Sequence, residues 1–414
     1  MMLKRVFWAV GIFGLIAFAW ALYVRFLVHP DASNLGSVVP WGLHVSQYIY
    51  FVGLSAGSFL ISSLIYVFGI KRFEPIGRLA VFTAIVTLML ALLTIGLDIG
   101  HIERFWHVFI FVNPTSPMAW MIWMYSVYMV LLIVEFWFLM RRDLVVASRL
   151  PGWRGPLSRI MALGGRDASD AGLARDMRVV KVAATLGVPL AIMFHGGVGA
   201  LFGVLAARAY WHTPLFPIIF IVGALASGGA ALVVASAIFQ EGWKAHREMV
   251  VDLGRLVLGF LLLDIGLQIS EILIGLYGQN PDYLASLSLV VAGPYWFVFW
   301  GIQVGFGMVV ALTCLATPLR HDPRAVVIGC AAIVVAFVGV RLNIVLPGMS
   351  PEQVRGLTNA VSDPRITSDY FPSTWEWILS LGIVSFGLIV FGLGEIFLPL
   401  SRHLPLTRKT EEAR

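Results

Sequence analysis

The sequence holds 414 residues, of which 59% are hydrophobic and only 13% charged, with a mean hydropathy of +0.87. Soluble domains carry about 25% charged residues, so this composition excludes a soluble globular protein and predicts an all-α integral membrane protein. The formal net charge of +6 comes from Lys and Arg in loops between apolar segments, which marks membrane topology and not nucleic-acid binding.

In chain order, Val6 to Val24 is uncharged for 19 residues and follows Lys4 and Arg5. It is longer than a signal-peptide core and no small-x-small cleavage site follows, so it reads as a retained first helix. Ten spans are expected, at 6–28, 42–69, 79–99, 118–140, 180–207, 214–239, 255–278, 293–317, 325–345 and 375–398. The uncharged stretch from Tyr283 to Leu319 is too long for one helix, so Gly293-Pro294 should start the eighth span after an interfacial segment. Arg141 to Lys181 is basic and reads as an inner connector, whereas Leu346 to Thr374, mixed in charge and rich in Pro and Asp, could cap the outer face or dock a partner.

With the N-terminus inside, all but six of the 29 Lys and Arg residues fall on inner segments. The exceptions are Arg25, Arg104, Arg208, Arg341, Arg355 and Arg365. This asymmetry places both termini in the cytoplasm. A faint repeat relates Gly53-Leu-Ser-Ala-Gly57 to Gly223-Ala-Leu-Ala-Ser-Gly228. It predicts two four-helix bundles, spans 2–5 and 6–9, with spans 1 and 10 peripheral. The expected layout is one polytopic domain, 1–414. Its first bundle lies at 38–181, its second at 208–345, and 346–414 holds the outer loop, last helix and cytoplasmic tail.

Ionisable residues inside such a protein are expensive, and therefore informative. Asp98-Ile-Gly-His101-Ile-Glu103-Arg104 ends the uncharged run Leu79–Leu97 at the outer boundary. His44 begins the second span on the same side, so His44, Asp98 and His101 are expected to meet, Asp98 and His101 as i and i+3 on one helix face. Histidine titrates near neutral pH and a carboxylate can orient it and relay its proton. Oxidation of a quinol, a lipid-soluble carrier of two electrons and two protons, needs that chemistry. Trp41, Tyr48, Trp106, Trp120 and Trp123 lie at the same helix ends, as an interfacial belt or as walls of an apolar slot.

Asp264, Gln268 and Glu271 fall i, i+4, i+7 on one face of the seventh span, as half of a proton path or as a structural network, and Glu135 could extend a path inward. His195 lies about twelve residues, roughly 18 Å, from the outer end of its helix. His44 lies within a turn of that edge, so the two do not match as axial ligands and haem is not expected. Cys314 and Cys330 both lie in apolar runs and no Cys-x-x-Cys exists, so no iron–sulfur cluster is expected in this chain. Metal ligands are not expected.

Val39-Pro-Trp-Gly-Leu-His44 followed by Tyr50-Phe-Val-Gly-Leu-Ser-Ala-Gly57 resembles the second-helix pattern of the polysulfide reductase membrane-subunit (NrfD) family. That family includes hydrogenase-2 type membrane subunits. Asp98-Ile-Gly-His101 through Arg104-Phe-Trp106, and Asn113-Pro-Thr-Ser-Pro-Met-Ala-Trp120, resemble its next helix junction. These motifs cover residues 38–125.

The resemblance implies a quinone-reactive membrane anchor of a respiratory oxidoreductase, multi-pass in a bacterial or archaeal cytoplasmic membrane. Menaquinone or ubiquinone would be the bound substrate. A four-cluster ferredoxin-like iron–sulfur subunit would dock at the outer face, with a molybdopterin or hydrogenase catalytic subunit beyond it. The roles carried over fall on His44, Asp98 and His101, with Trp41, Arg104 and Tyr125 as further quinone-binding candidates. Many relatives carry Arg where this chain has His101. The rival reading is a secondary transporter using the carboxylates of the seventh span, although that span lacks the Gly/Pro break of discontinuous transporter helices.

Overall fold

The computed structural model describes residues 2–400 except 29–31, 152, 241, 355, 361–362 and 364. Arg355 and the four basic residues expected in the cytoplasmic tail lie outside the described residues. Among those described, ten helices are long and apolar enough to cross a membrane, and no strand is present. In lipid every backbone amide needs an internal partner, and a helix supplies it within one segment.

The spans are α1 (Met2–Tyr23, continued by a wider turn, Val24–Val28), α2 (Leu43–Tyr66), α3 (Gly77–Asp98), α4 (Pro117–Ala147) and α5 (Asp170–Gly203). They continue as α6 (Phe216–Phe239), α7 (Arg247–Gly278), α8 (Val298–Ala316), α9 (Pro323–Met349) and α10 (Thr374–Phe397).

Helix ends follow local chemistry. Ser169 caps α5 by accepting from the Gly172 amide, Asp322 caps α9 ahead of Pro323, and Ser373 with Glu376 forms a capping box on α10. The expected basic connector from Arg141 to Lys181 is largely helical. α4 and α5 run 31 and 34 residues, beyond the lipid span, with a short helix, Arg154–Met161, between them. Charge ends a membrane span but does not end a helix, so hydropathy ended α4 too early and began α5 too late. A buried Arg141–Asp176 pair at 2.7 Å clamps the two extensions together. The expected interfacial stretch before Gly293 is a short helix, Pro281–Val291.

Two ends of the molecule can be told apart. At the basic end Arg78 pairs with Asp143 at 2.5 Å, and Arg72 pairs with Asp252. At the Asp98 end the segments 32–42, 99–116, 204–215 and 365–373 gather. Ser37 N donates to the Arg365 carbonyl at 2.7 Å, so Arg365 lies against the segment that leads into α2.

α2 packs on α3 and α5, α4 packs on both of those, and α6 packs on α7 and α9, with α8 against α9. This packing is consistent with two four-helix units. α1 lies against α10, which reaches the bundle through α3 and α2. The units meet where α2 crosses α6. A Cβ on Gly57 would fall 1.8 Å from the Ala224 carbonyl oxygen, and one on Gly228 would fall 2.5 Å from the Ser58 amide. The two glycines matched by the sequence repeat therefore make the backbone-to-backbone crossing that joins the units. One topological count is corrected: Arg341, taken with the outer loop charges, lies inside α9 and is 1% exposed.

Candidate functional site

The first turn of α2 is anchored from α10. The Leu43 amide donates to the Tyr370 hydroxyl at 3.0 Å, and that hydroxyl donates to Glu376 Oε1 at 2.6 Å. Glu376 is fully buried, and its Oε2 accepts from the amides of Asn34 (3.1 Å) and Ser373 (2.7 Å). Sequence reasoning missed this network. Its signal was Ser373-Thr-Trp-Glu376, a capping-box spacing. The network holds one edge of the site in place.

His44 is 2% exposed and its Nδ1 lies 3.0 Å from Asp98 Oδ1. A carboxylate only accepts, so Nδ1 carries the proton and donates. Nε2 is left free to accept from, or donate to, a third group, and it is buried with no partner among the described residues. Trp375 stands edge-on to the imidazole at 5.7 Å. Asp98 is the last residue of α3, and Arg25 caps that terminus by donating to the carbonyls of Leu97 (3.2 Å) and Ile99 (3.1 Å). A cation at a helix C-terminus is favourable, and the two carbonyls Arg25 holds belong to the residues on either side of Asp98. Arg25 too was missed, since sequence places it only on a side of the membrane.

His101 does not join the pair. α3 stops at Asp98 and Ile99 is extended, so the i, i+3 relation fails. His101 instead bonds Glu103 at 3.0 Å on an exposed turn, and Arg104 Nε lies 3.7 Å from the same carboxylate. Glu103 is held below the usual carboxylate range, first by its own backbone amide and then by His101. Trp106, Trp120 and Trp123 are not pocket walls. Their indole N–H groups donate to the carbonyls of Glu103, Pro114 and Val108, tying down the 99–116 segment.

Beside His44, between α2, α3, α4 and α5, lies an almost wholly apolar cavity of about 160 Å³. Trp41, Tyr48, Met121, Tyr125 and Phe202 line it, and its rim includes Leu92, Ile99 and Met118, each more than a third exposed on the lipid-facing surface. Its polar contribution is a hydroxyl pair, Tyr48 to Tyr125 at 2.5 Å. Trp41 closes one wall, stacked on the buried Trp211 at 5.9 Å. Trp41 and Tyr125 thus line the cavity, His44 and Asp98 are represented in its lining only by their chain neighbours Val45 and Ile99, and His101 and Arg104 lie outside it.

The stripe on α7 faces inward. Gln268 donates to Asp264 at 2.5 Å, and Glu271 accepts from Thr213 at 2.9 Å. Glu135 is fully buried in α4, with neither carboxylate oxygen partnered among the described residues.

Three relatives match nearly end to end. A selenate reductase subunit of Mesobacillus selenatarsenatis is 36% identical over 96% of this chain and 95% of its own length. A putative dimethyl sulfoxide reductase membrane subunit of Halobacterium salinarum is 29% identical, over 94% of this chain and 89% of its own. The Hdr-like menaquinol oxidoreductase integral membrane subunit of Archaeoglobus fulgidus is 27% identical over 91% and 89%. The family model described as polysulphide reductase, NrfD, matches residues 31–351, so this multi-pass membrane chain belongs to the NrfD family.

Proposed function

We propose that this chain is the quinone-reactive membrane subunit of a respiratory oxidoreductase complex. The observation that carries the reading is a buried His44–Asp98 pair, with one imidazole nitrogen unpaired, beside an aromatic cavity that reaches the lipid surface. The names of the relatives, subunits of reductases and an integral membrane subunit of a menaquinol oxidoreductase, support it.

The cavity suits a quinol head group. Trp41, Phe202 and the two tyrosine rings offer flat apolar faces, and the lipid-side rim lets an isoprenoid tail stay in the bilayer. The Tyr48–Tyr125 hydroxyls would bond one ring oxygen. His44 Nε2 would take a proton from the hydroxyl as electrons leave. Asp98 stabilises the resulting imidazolium, and being partly exposed it can hand the proton to water. His101, Glu103 and Arg104 would form the rim or a docking edge.

The Lys and Arg asymmetry supports an orientation with the Asp98 end outside a prokaryotic cytoplasmic membrane and both termini inside. An iron–sulfur subunit docked at that face would exchange electrons with the quinone, menaquinone or ubiquinone, and pass them to or from a molybdopterin or hydrogenase subunit. The units 38–181 and 208–345 would then divide the work, the first holding the quinone and the second, with Asp264, Gln268 and Glu271, handling protons, as would Glu135 at the inner side. α7 runs unbroken from Arg247 to Gly278, which does not favour the transporter reading.

Replacing His44 by Ala or Asp98 by Asn is expected to lower quinol turnover about 10²–10⁴-fold while the complex still assembles. Wild-type turnover in both variants would overturn the site.

A further inference from the structure

The seam between the two bundles carries a second buried cluster that quinone chemistry does not use. His195 of α5, Arg341 of α9 and Asp264 of α7 are 1%, 1% and 2% exposed. They converge on two glycines. A Cβ on Gly53 of α2 would lie 3.6 Å from His195 Nε2 and 3.7 Å from Arg341 Nη2. One on Gly223 of α6 would lie 3.1 Å from Asp264 Oδ1 and 3.3 Å from the same Nη2. The guanidinium lies 4.3 Å over the Phe220 ring.

Both terminal nitrogens of Arg341, Oδ1 of Asp264 and both ring nitrogens of His195 lack a well-formed hydrogen bond among the described residues, although the Phe220 backbone lies against His195. Polar atoms left dry cost about 1–3 kcal/mol each, so five gathered at one place require water. Space for it adjoins Asp264. A cavity of about 110 Å³, lined in part by Asp264, Gln268, Gln303 and Phe337, is several times the share of one water, about 30 Å³.

From this centre an amide relay leads toward the Asp98 end. Gln268 donates to Asp264, Gln303 Nε2 donates to Gln268 Oε1 at 2.7 Å, and Asn343 Nδ2 donates to Gln303 Oε1 at 2.7 Å. Gln268, Gln303, Asn343 and Glu271 share a further cavity of about 60 Å³. By helical rise, Asp264 lies roughly 21 Å, and Glu271 roughly 10 Å, from the end of α7. In the other direction the Gly57–Gly228 crossing packs backbone on backbone.

We infer that His195, Arg341 and Asp264 form a hydrated proton-binding centre near the middle of the membrane, loaded from the Asp98 face through Glu271 and the amide-lined cavities. Asp264 takes the proton, Arg341 is the fixed cation opposite it, and His195 is a second acceptor. The charged group facing Asp264 is Arg341 from α9, and His195 from α5 faces the same guanidinium from the Gly53 side. α6 and α8 contribute Gly223, Phe220 and Gln303, and Tyr50 of α2 commits its hydroxyl to the Val334 carbonyl at 3.0 Å. The inference deepens the proton-handling role proposed for Asp264, Gln268 and Glu271 and does not rest on the quinone site, since loading this centre requires no electron transfer.

The test is infrared difference spectroscopy of the full chain, purified with its complex in lipid nanodiscs, as bulk pH is stepped in H₂O and D₂O. Wild type is expected to show a protonated-carboxyl band that deuterates within the mixing time. Asp264→Asn should lose that band. Glu271→Gln, and Gln268→Leu should Asp264→Asn fail to fold, should slow its deuteration about 10²-fold. A carboxyl spectrum unchanged in Asp264→Asn, or exchange at wild-type speed in the relay variants, overturns the centre. Quinol turnover of His44→Ala, read on parallel samples, fails or succeeds separately.

Discussion

At the scale of single residues, the site depends on which atoms are already committed. Asp98 occupies one imidazole nitrogen of His44 and leaves the other unpaired, and in the proposed function this makes the pair an oriented base. His44 is itself held by the start of α2, and that start hangs on one hydroxyl. Tyr370→Phe removes the acceptor of the Leu43 amide and the donor to buried Glu376. It should cost about 1–3 kcal/mol, read as a lower melting temperature in detergent, and should lower kcat more than it raises KM, because the base and not the cavity is displaced. An unchanged melting temperature would show that the network does not hold α2. The meeting of His44 with Asp98 was legible in the sequence, since two consecutive spans turn at the same boundary. The separation of His101 was not. It depends on α3 ending one residue after Leu97, and Gly100 reads equally well as part of the helix or as a break.

At the scale of elements, the ten spans were legible because lipid imposes length and apolarity on each. Their ends were not, because α4 and α5 continue as helices into water, tied by Arg141 and Asp176. Removing one partner of a buried ion pair strands the other, at about 3–5 kcal/mol. Arg141→Met should therefore destabilise the purified protein strongly, whereas Arg141→Met with Asp176→Leu should recover most of the loss. Thermal unfolding of the single and double variants checks this, and equal loss in both would remove the pair's role. The crossing of α2 and α6 is a sharper case. Gly57→Ala puts a methyl against the Ala224 carbonyl and should cost about 1–3 kcal/mol of overpacking or more, seen as reduced yield of folded protein. Stability equal to wild type would mean the helices can part there without loss.

At the scale of the whole molecule, orientation decides what the Asp98 face can meet. Cysteine labelling in intact cells tests it: His101→Cys should react with an impermeant maleimide, and Trp153→Cys should react only after permeabilisation. Cys314 and Cys330 are buried and give little background. The reverse pattern would place the quinone-side docking face in the cytoplasm.

By itself the sequence determined the number of spans, the family and the pairing of His44 with Asp98, because hydropathy and alternating topology are local properties that add up along the chain. Only the tertiary structure decided that Trp41, Tyr48 and Tyr125 share a cavity while Trp106, Trp120 and Trp123 do not. It also decided that Arg341, His195 and Asp264, drawn from three helices far apart in sequence, face one another across two glycines. Such meetings depend on how each helix is rotated about its own axis. That rotation is set by close packing against neighbours such as Gly57 on Gly228, which no single segment encodes.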